Sequence, residues 1–124
     1  MDWTKIKHFH QGEFDDPKYP NSGRYIDMKV VQALDNLRED TGWPIITHWK
    51  VGGCVDMHGD HGHSEHSYHL QAMGACACDF HFDTKVSVRE QVAAVMRAGF
   101  GAIGLYRSVW KLNGIILPVG MHVD

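Results

Sequence analysis

Apolar residues recur at helical spacing in two stretches of the chain. Val30, Val31, Leu34 and Leu37 form the stripe of an amphipathic helix. Asp27 is a suitable N-cap for it, Ile26 and Val31 stand where a hydrophobic staple would, and Gly42 ends it. The second stretch opens on Ser87-Val88-Arg89-Glu90, a capping box, runs through Val92, Val95 and Met96, and closes at Gly99. Elsewhere the pattern is that of strands. Pro44 opens a β-rich run, Ile45 to Lys50. Ala75 to Phe82 alternates, with Cys76, Cys78, Phe80 and Phe82 on one face and Ala75, Ala77, Asp79 and His81 on the other. The first face carries the larger apolar groups and is expected to meet the core, leaving Asp79 and His81 accessible. The tail reads as strands over Ala102 to Tyr106, Val109 to Leu112 and Ile115 to Leu117, with Asn113-Gly114 as a hairpin turn. A last strand, Met121 to Asp124, puts His122 and Asp124 on one face and Met121 and Val123 on the other.

Two segments lack periodicity. Residues 1 to 26 read as an irregular arm punctuated by Pro17, Pro20 and Gly23. Val51 to Tyr68 is rich in Gly, His and Asp and reads as a long loop, a kind that is usually functional or mobile. Helices segregated from strands, and strands joined by short turns, predict an α+β fold with a mainly antiparallel sheet and helices packed on one side. At 124 residues, the chain is expected to be a single domain, 1–124.

Composition narrows the chemistry. The net charge is −3 and no basic stripe is present, which argues against nucleic acid. No run approaches the ~20 apolar residues of a membrane span, and Met1-Asp2-Trp3-Thr4-Lys5 is not the start of a secretory signal. The expectation is therefore a chain cytoplasmic at synthesis; the sequence leaves the oligomeric state open, a monomer being the default. Cys54, Cys76 and Cys78 are an odd count and read as free thiols, with Cys76 and Cys78 inert on the core face. Histidine is over-represented: there are ten, five of them between His58 and His69.

His69, Asp79 and His122 are the candidate metal ligands. Three nitrogen and oxygen donors with one position left for water is the pattern of catalytic zinc. On spacing alone, a surface or structural role for each of these residues is the better-supported reading. The surrounding residues shift that reading toward ligands. Ser67-Tyr68-His69-Leu70 followed by Gly74 to Asp79-Phe80 resembles the Ser-x-His-x-x-Gly-x-Ala-x-Asp signature of the peptidase M15 family, the zinc D-Ala-D-Ala carboxypeptidases and endolysin-type peptidases. Gly120-Met121-His122-Val123-Asp124 looks like that family's C-terminal motif. Phe9 to Phe14, Leu34 to Glu39, Pro44 to Thr47 and Gly99 to Tyr106 are similar to further family segments in the same order.

The resemblance implies a hedgehog/DD-peptidase-like fold, zinc held by His69, Asp79 and His122, and hydrolysis of peptidoglycan peptides by a metal-activated water. Ser67, in the signature, would contact substrate. A phage or prophage lysis enzyme, acting on the cell wall after release, would fit the missing export signal. The chain also departs from the family. The stretch from His69 to Asp79 is longer, with the extra residues around Ala72-Met73-Gly74. His48-Trp49-Lys50 stands in place of a Ser-Gly-Tyr-Arg, so Lys50 or His48 would steady the oxyanion or bind the substrate carboxylate. Val119 stands where the family carries an acidic general base. Asp124 is the first candidate to replace it, or else an orienting partner of His122; Glu65 and His66 are weaker candidates. His81 is expected beside Asp79 on the rim. His58, His61, His63 and His66 could bind a second metal. The rival functions are a non-catalytic zinc module of the same fold and a histidine-rich metal-binding protein.

Overall fold

The computed structural model describes residues 2–106, 110–112, 115–117 and 120–124. It is α+β, with two helices and an open four-stranded antiparallel sheet. Helix α1 spans Met28–Thr41 and α2 spans Val88–Arg97. The strands are β1 (Ile45–Thr47), β2 (Cys78–Phe82), β3 (Ile103–Tyr106), β4 (Trp110–Leu112), β5 (Ile115–Leu117) and β6 (Gly120–Val123). The main sheet has the order β1-β2-β6-β3, and β4 pairs with β5 separately.

Local chemistry accounts for both helices. The Asp27 side chain accepts from Lys29 N, and Gly42 closes α1 in the left-handed region at φ 70°. Ser87 accepts from Glu90 N, and Gly99 follows α2 at φ 84°. Val30, Val31, Leu34 and Leu37 are buried as the pattern required. On α2 the expected face is rotated: Ala94 and Val95 are buried, but Met96 is exposed. The short side of the helix therefore meets the core.

The strands are shorter than expected. The β-rich run after Pro44 ends at Thr47, and Trp49–Val51 forms a 3₁₀ turn with Lys50 exposed. Ala75 has φ 47°, which is not a strand conformation, so β2 begins only at Cys78. Cys78, Phe80 and Phe82 are buried against the core with Met121 and Val123 of β6. The opposite face is covered too: Ala75, Ala77 and His81 are buried, and Asp79 is half-buried. That corrects the expectation of an accessible face. Its cover is the chain after β1, where His48 N donates to Asp79 O and Asp79 N donates to Gly53 O. A Cβ on Gly53 would lie 2.8 Å from the His48 Cβ and 3.0 Å from the Asp79 Cβ, so this approach needs glycine.

The arm is a packed layer. It contains 3₁₀ turns at Trp3–Lys5, Gln11–Phe14 and Ser22–Tyr25, and it buries Phe9, Phe14 and Ile26. The buried Asp35 carboxylate of α1 accepts from Lys7 N and His8 N, tying the arm to the helix. The loop is partly structured as well. Cys54, Val55 and Asp56 are fully buried, Val55 N bonds to Phe14 O, and Asp56 and Leu70 form a parallel bridge. Leu112 pairs with Ile115 across β4 and β5. Asn113, Gly114, Val109 and Val119 lie outside the described residues. No helix among the described residues is long and apolar enough to cross a membrane.

Candidate metal centre

Sheet register assembles the centre. On β2 and β6, Asp79 lies directly opposite His122, flanked by the pairs Cys78–Val123 and Phe80–Met121. Those flanking pairs face the core, so strand alternation puts Asp79 and His122 together on the other face. Gly104 of β3 lies opposite His122 on its far side. His69 arrives from the end of the loop, held by the bond from Asp56 N to His69 O and by Ser67 Oγ, which accepts from His69 N at 3.2 Å.

The three donor atoms form a tight triangle. His122 Nδ1 is 2.8 Å from Asp79 Oδ1, His69 Nε2 is 3.2 Å from the same oxygen, and the two nitrogens are 3.2 Å apart. Ligands on a tetrahedral zinc at 2.0–2.1 Å are about 3.3 Å from each other. The triangle is therefore close to one face of such a polyhedron. Each imidazole is also anchored from behind. His69 Nδ1 donates to Cys54 O at 3.0 Å, which turns Nε2 toward the centre. His122 Nε2 donates to Asp124 Oδ2 at 3.1 Å, leaving Nδ1 to face Asp79.

The electrostatics follow from these contacts. Burial alone would raise the Asp79 pKa, but the bonds from His122 and His69 outweigh it and hold the carboxyl well below its usual range. The Asp79 bond, with that of Asp124, raises His122 above the ordinary imidazole value against the opposing effect of burial. A metal would thus meet a carboxylate held in its ionised form and a histidine that holds its proton more tightly than usual.

Other expected residues take different places. His48 is buried, and its Nε2 lies 2.7 Å from His81 Nδ1. Burial, with His81, lowers the His48 pKa to about 4, Asp79 acting the other way. Burial lowers His81 likewise, so both are neutral at pH 7, and His81 is a buried partner of His48 rather than a rim residue. The Lys50 ammonium lies 5.9 Å from the centroid of the Trp49 ring. Among the described residues, the polar side-chain contacts of His69 and His122 do not include Lys50. Ser67 is half-exposed beside His69. Cys54 and Cys78 are buried free thiols with their sulfurs 3.5 Å apart, and burial raises Cys78 well above the usual thiol pKa. Cys76 is only half-buried.

The four loop histidines do not converge. His58 packs edge-on against Tyr19, and His66 is exposed beside Glu65. His61 pairs with Asp16 at 2.8 Å and His63 with Asp56 at 2.9 Å. His63 also stacks on His69, with ring centroids 4.2 Å apart, and one of its nitrogens lies within 4.8 Å of the His69 and Asp79 donors. His63, its partner Asp56 and the Cys54 carbonyl are parts of the centre that sequence reasoning missed. The histidine count of the loop was the only signal for His63, and no pattern pointed to the others. Among the described residues, two groups of His and Asp side chains could therefore hold a metal ion: His63, His69 and Asp79, which His122 adjoins, and Asp16, Asp56 and His61.

One cleft adjoins the first group at His63, and a second lies beside Asp124. The first, of about 490 Å³, is lined by Met57, His63, Glu65, Leu70 and Ala72 among others. The second, of about 360 Å³, is lined by Tyr68, Cys76, Phe100 and Asp124 among others. In comparisons with known proteins, no family model, no curated protein and no solved structure matches this chain.

Proposed function

We propose that this protein is a zinc-dependent metallopeptidase of the M15 type, acting on peptidoglycan peptides as a D-Ala-D-Ala carboxypeptidase or murein endopeptidase. The observation that carries the reading is the triangle of His69 Nε2, Asp79 Oδ1 and His122 Nδ1, with edges of 2.8 to 3.2 Å. These are the three residues that the resemblance marks as ligands. The reading includes a hedgehog/DD-peptidase-like arrangement, with both helices on one side of the sheet.

His69, Asp79 and His122 would hold the zinc. When bound, zinc supplies Lewis acidity, which acidifies water and polarises a carbonyl. The chain's own groups do the rest. Cys54 O and Asp124 fix the imidazole tautomers, so the donor atoms need little rearrangement. The place of Asp124 behind His122 supports an orienting role over that of proton acceptor. His48, neutral at pH 7, serves as a hydrogen-bonding group and not as a cation. The positive charge for a substrate carboxylate falls to Lys50, which is exposed on its turn. The cleft at His63 leaves room for a peptide beside the centre.

A second reading has its own support. With Lys50 in place of an arginine, Val119 in place of an acid and Asp124 engaged by His122, the same fold could hold zinc without turnover. One experiment separates the two. Zinc-loaded protein is incubated with peptidoglycan of several chemotypes, and released peptides are identified by mass spectrometry. The enzyme releases stem-peptide fragments, a chelator stops it, and His69→Ala is inactive. Walls left intact by protein that retains its zinc would establish the non-catalytic module instead.

A further inference from the structure

We propose that Asp16, Asp56 and His61 form a second divalent-cation site, for Mn²⁺ or Zn²⁺, that clamps the N-terminal arm to the histidine-rich loop. One donor atom from each residue lies within 4.8 Å of the other two. The site is distinct from the His69, Asp79 and His122 centre and does not depend on the peptidase reading.

Charge is the first argument. Asp16 and Asp56 are both fully buried, which carboxylates tolerate only when paired. Among the described residues, their partners are backbone N–H groups and two imidazoles. Asp16 accepts from Lys18 N, Met57 N and His61 Nε2, and Asp56 accepts from Gly59 N, Asp60 N and His63 Nδ1. Among the described residues, no lysine or arginine side chain reaches either. Two buried carboxylates thus lie side by side. One divalent ion cancels both.

Construction is the second argument. The His61 ring occupies the space of the side chain that Gly52 lacks: a Cβ there would lie 2.2 Å from His61 Cγ. Gly52 is also in the left-handed region at φ 81°, so its backbone favours glycine independently. The ring is thus seated with Nε2 directed at Asp16. Each carboxylate offers about four acceptor positions, and three are used on each, so capacity for an ion remains. Two carboxylate oxygens and one imidazole suit Mn²⁺ or Zn²⁺. Calcium takes six to eight oxygen ligands, a set that these three residues do not supply.

The consequence reaches the first centre. Asp56 bonds to His63, whose ring stacks on His69, and Asp56 N bonds to His69 O. An ion on Asp56 would fix the segment that positions both histidines.

Native mass spectrometry of protein equilibrated with Zn²⁺ or Mn²⁺ and then desalted tests this. Wild-type protein should retain two ions, and His61→Gln and His69→Ala should each retain one. In the His69→Ala background, Mn²⁺ should raise Tm by several degrees, and adding His61→Gln should abolish that rise. Gly52→Ala, which displaces the ring without touching a donor, is the second variant and should also lose one ion. A wild-type protein that saturates at one ion would overturn the site. So would folded His61→Gln and Gly52→Ala proteins that both keep two. Loss of zinc only from His69→Ala would leave the first centre standing and remove the second.

Discussion

Asp79 and His122 sit on paired strands, while His61 and His63 sit on a loop. All three histidines place a ring nitrogen 2.8 to 2.9 Å from an aspartate oxygen. The difference lies in what fixes those distances. In the sheet, the antiparallel register sets Asp79 against His122, and the buried pairs on either side forbid a slip by one residue. On the loop, each imidazole is fixed by a separate buried carboxylate, and the loop's shape follows from those bonds. Histidine density therefore does not mark the centre: His58 and His66, in the densest stretch, reach neither group. A sheet can place ligands by register, whereas a loop must be tied down donor by donor.

The largest test of this contrast is metal retention. Asp79→Ala should weaken zinc binding at the strand-borne centre by roughly 10²–10³-fold, as the 10–16 kcal/mol of a structural zinc is shared among four ligands. His58→Ala and His66→Ala should change it by less than about twofold. Competition titration against a chelator measures all three. Equal losses would mean that the loop histidines hold the ion.

Next in size is Asp124→Asn. An orienting partner of a ligating histidine is worth about 10–100-fold in metal affinity, so the variant should lose that much in the same titration. Unchanged affinity with a rate loss of about 10²–10⁴-fold would restore Asp124 as the proton acceptor.

A smaller effect comes from the buried His48. Its folded pKa is about 4, below the ~6.5 of an unfolded histidine, so the unfolded chain takes up the proton first as pH falls. Stability is full above about pH 6.5 and declines toward pH 4. Between pH 7 and 5, zinc-free wild-type protein should lose about 1–2 kcal/mol more than His48→Asn in denaturant unfolding. The raised His122 acts in the opposite direction: its contribution is present below about pH 6.5 and is lost as pH rises through its folded value. It is common to both proteins and cancels in the comparison.

The finest distinction is within the loop. The amides of Val55 and Asp56, bonded to Phe14 O and His69 O, should exchange slowly, while those of the exposed Glu65 and His66 exchange fast. Uniform fast exchange from residue 51 to 68 would mean that the carboxylate ties do not hold the loop.

The sequence alone determined the helix ends and the alternation of the strands, and it singled out His69, Asp79 and His122 as candidate donors. Asp27, Gly42, Ser87 and Gly99 mark helix ends because capping is decided by neighbouring residues. Period-two alternation put His122 on the face opposite Met121 and Val123, since a strand turns its side chains over at every step. The tertiary structure decided everything that depends on segments distant in the chain. Alternation could not reveal that the Asp79 face is covered, because the cover is the backbone from His48 to Gly53, brought there by β1 pairing. It could not show that Asp124 lies behind His122, because a carboxylate that shares a face with a ligand can turn toward the metal or toward the ring. Nor could it pair His61 with Asp16, 45 positions away. That contact exists because two carboxylates buried by core packing must find donors, and only the folded chain fixes which donors lie within reach.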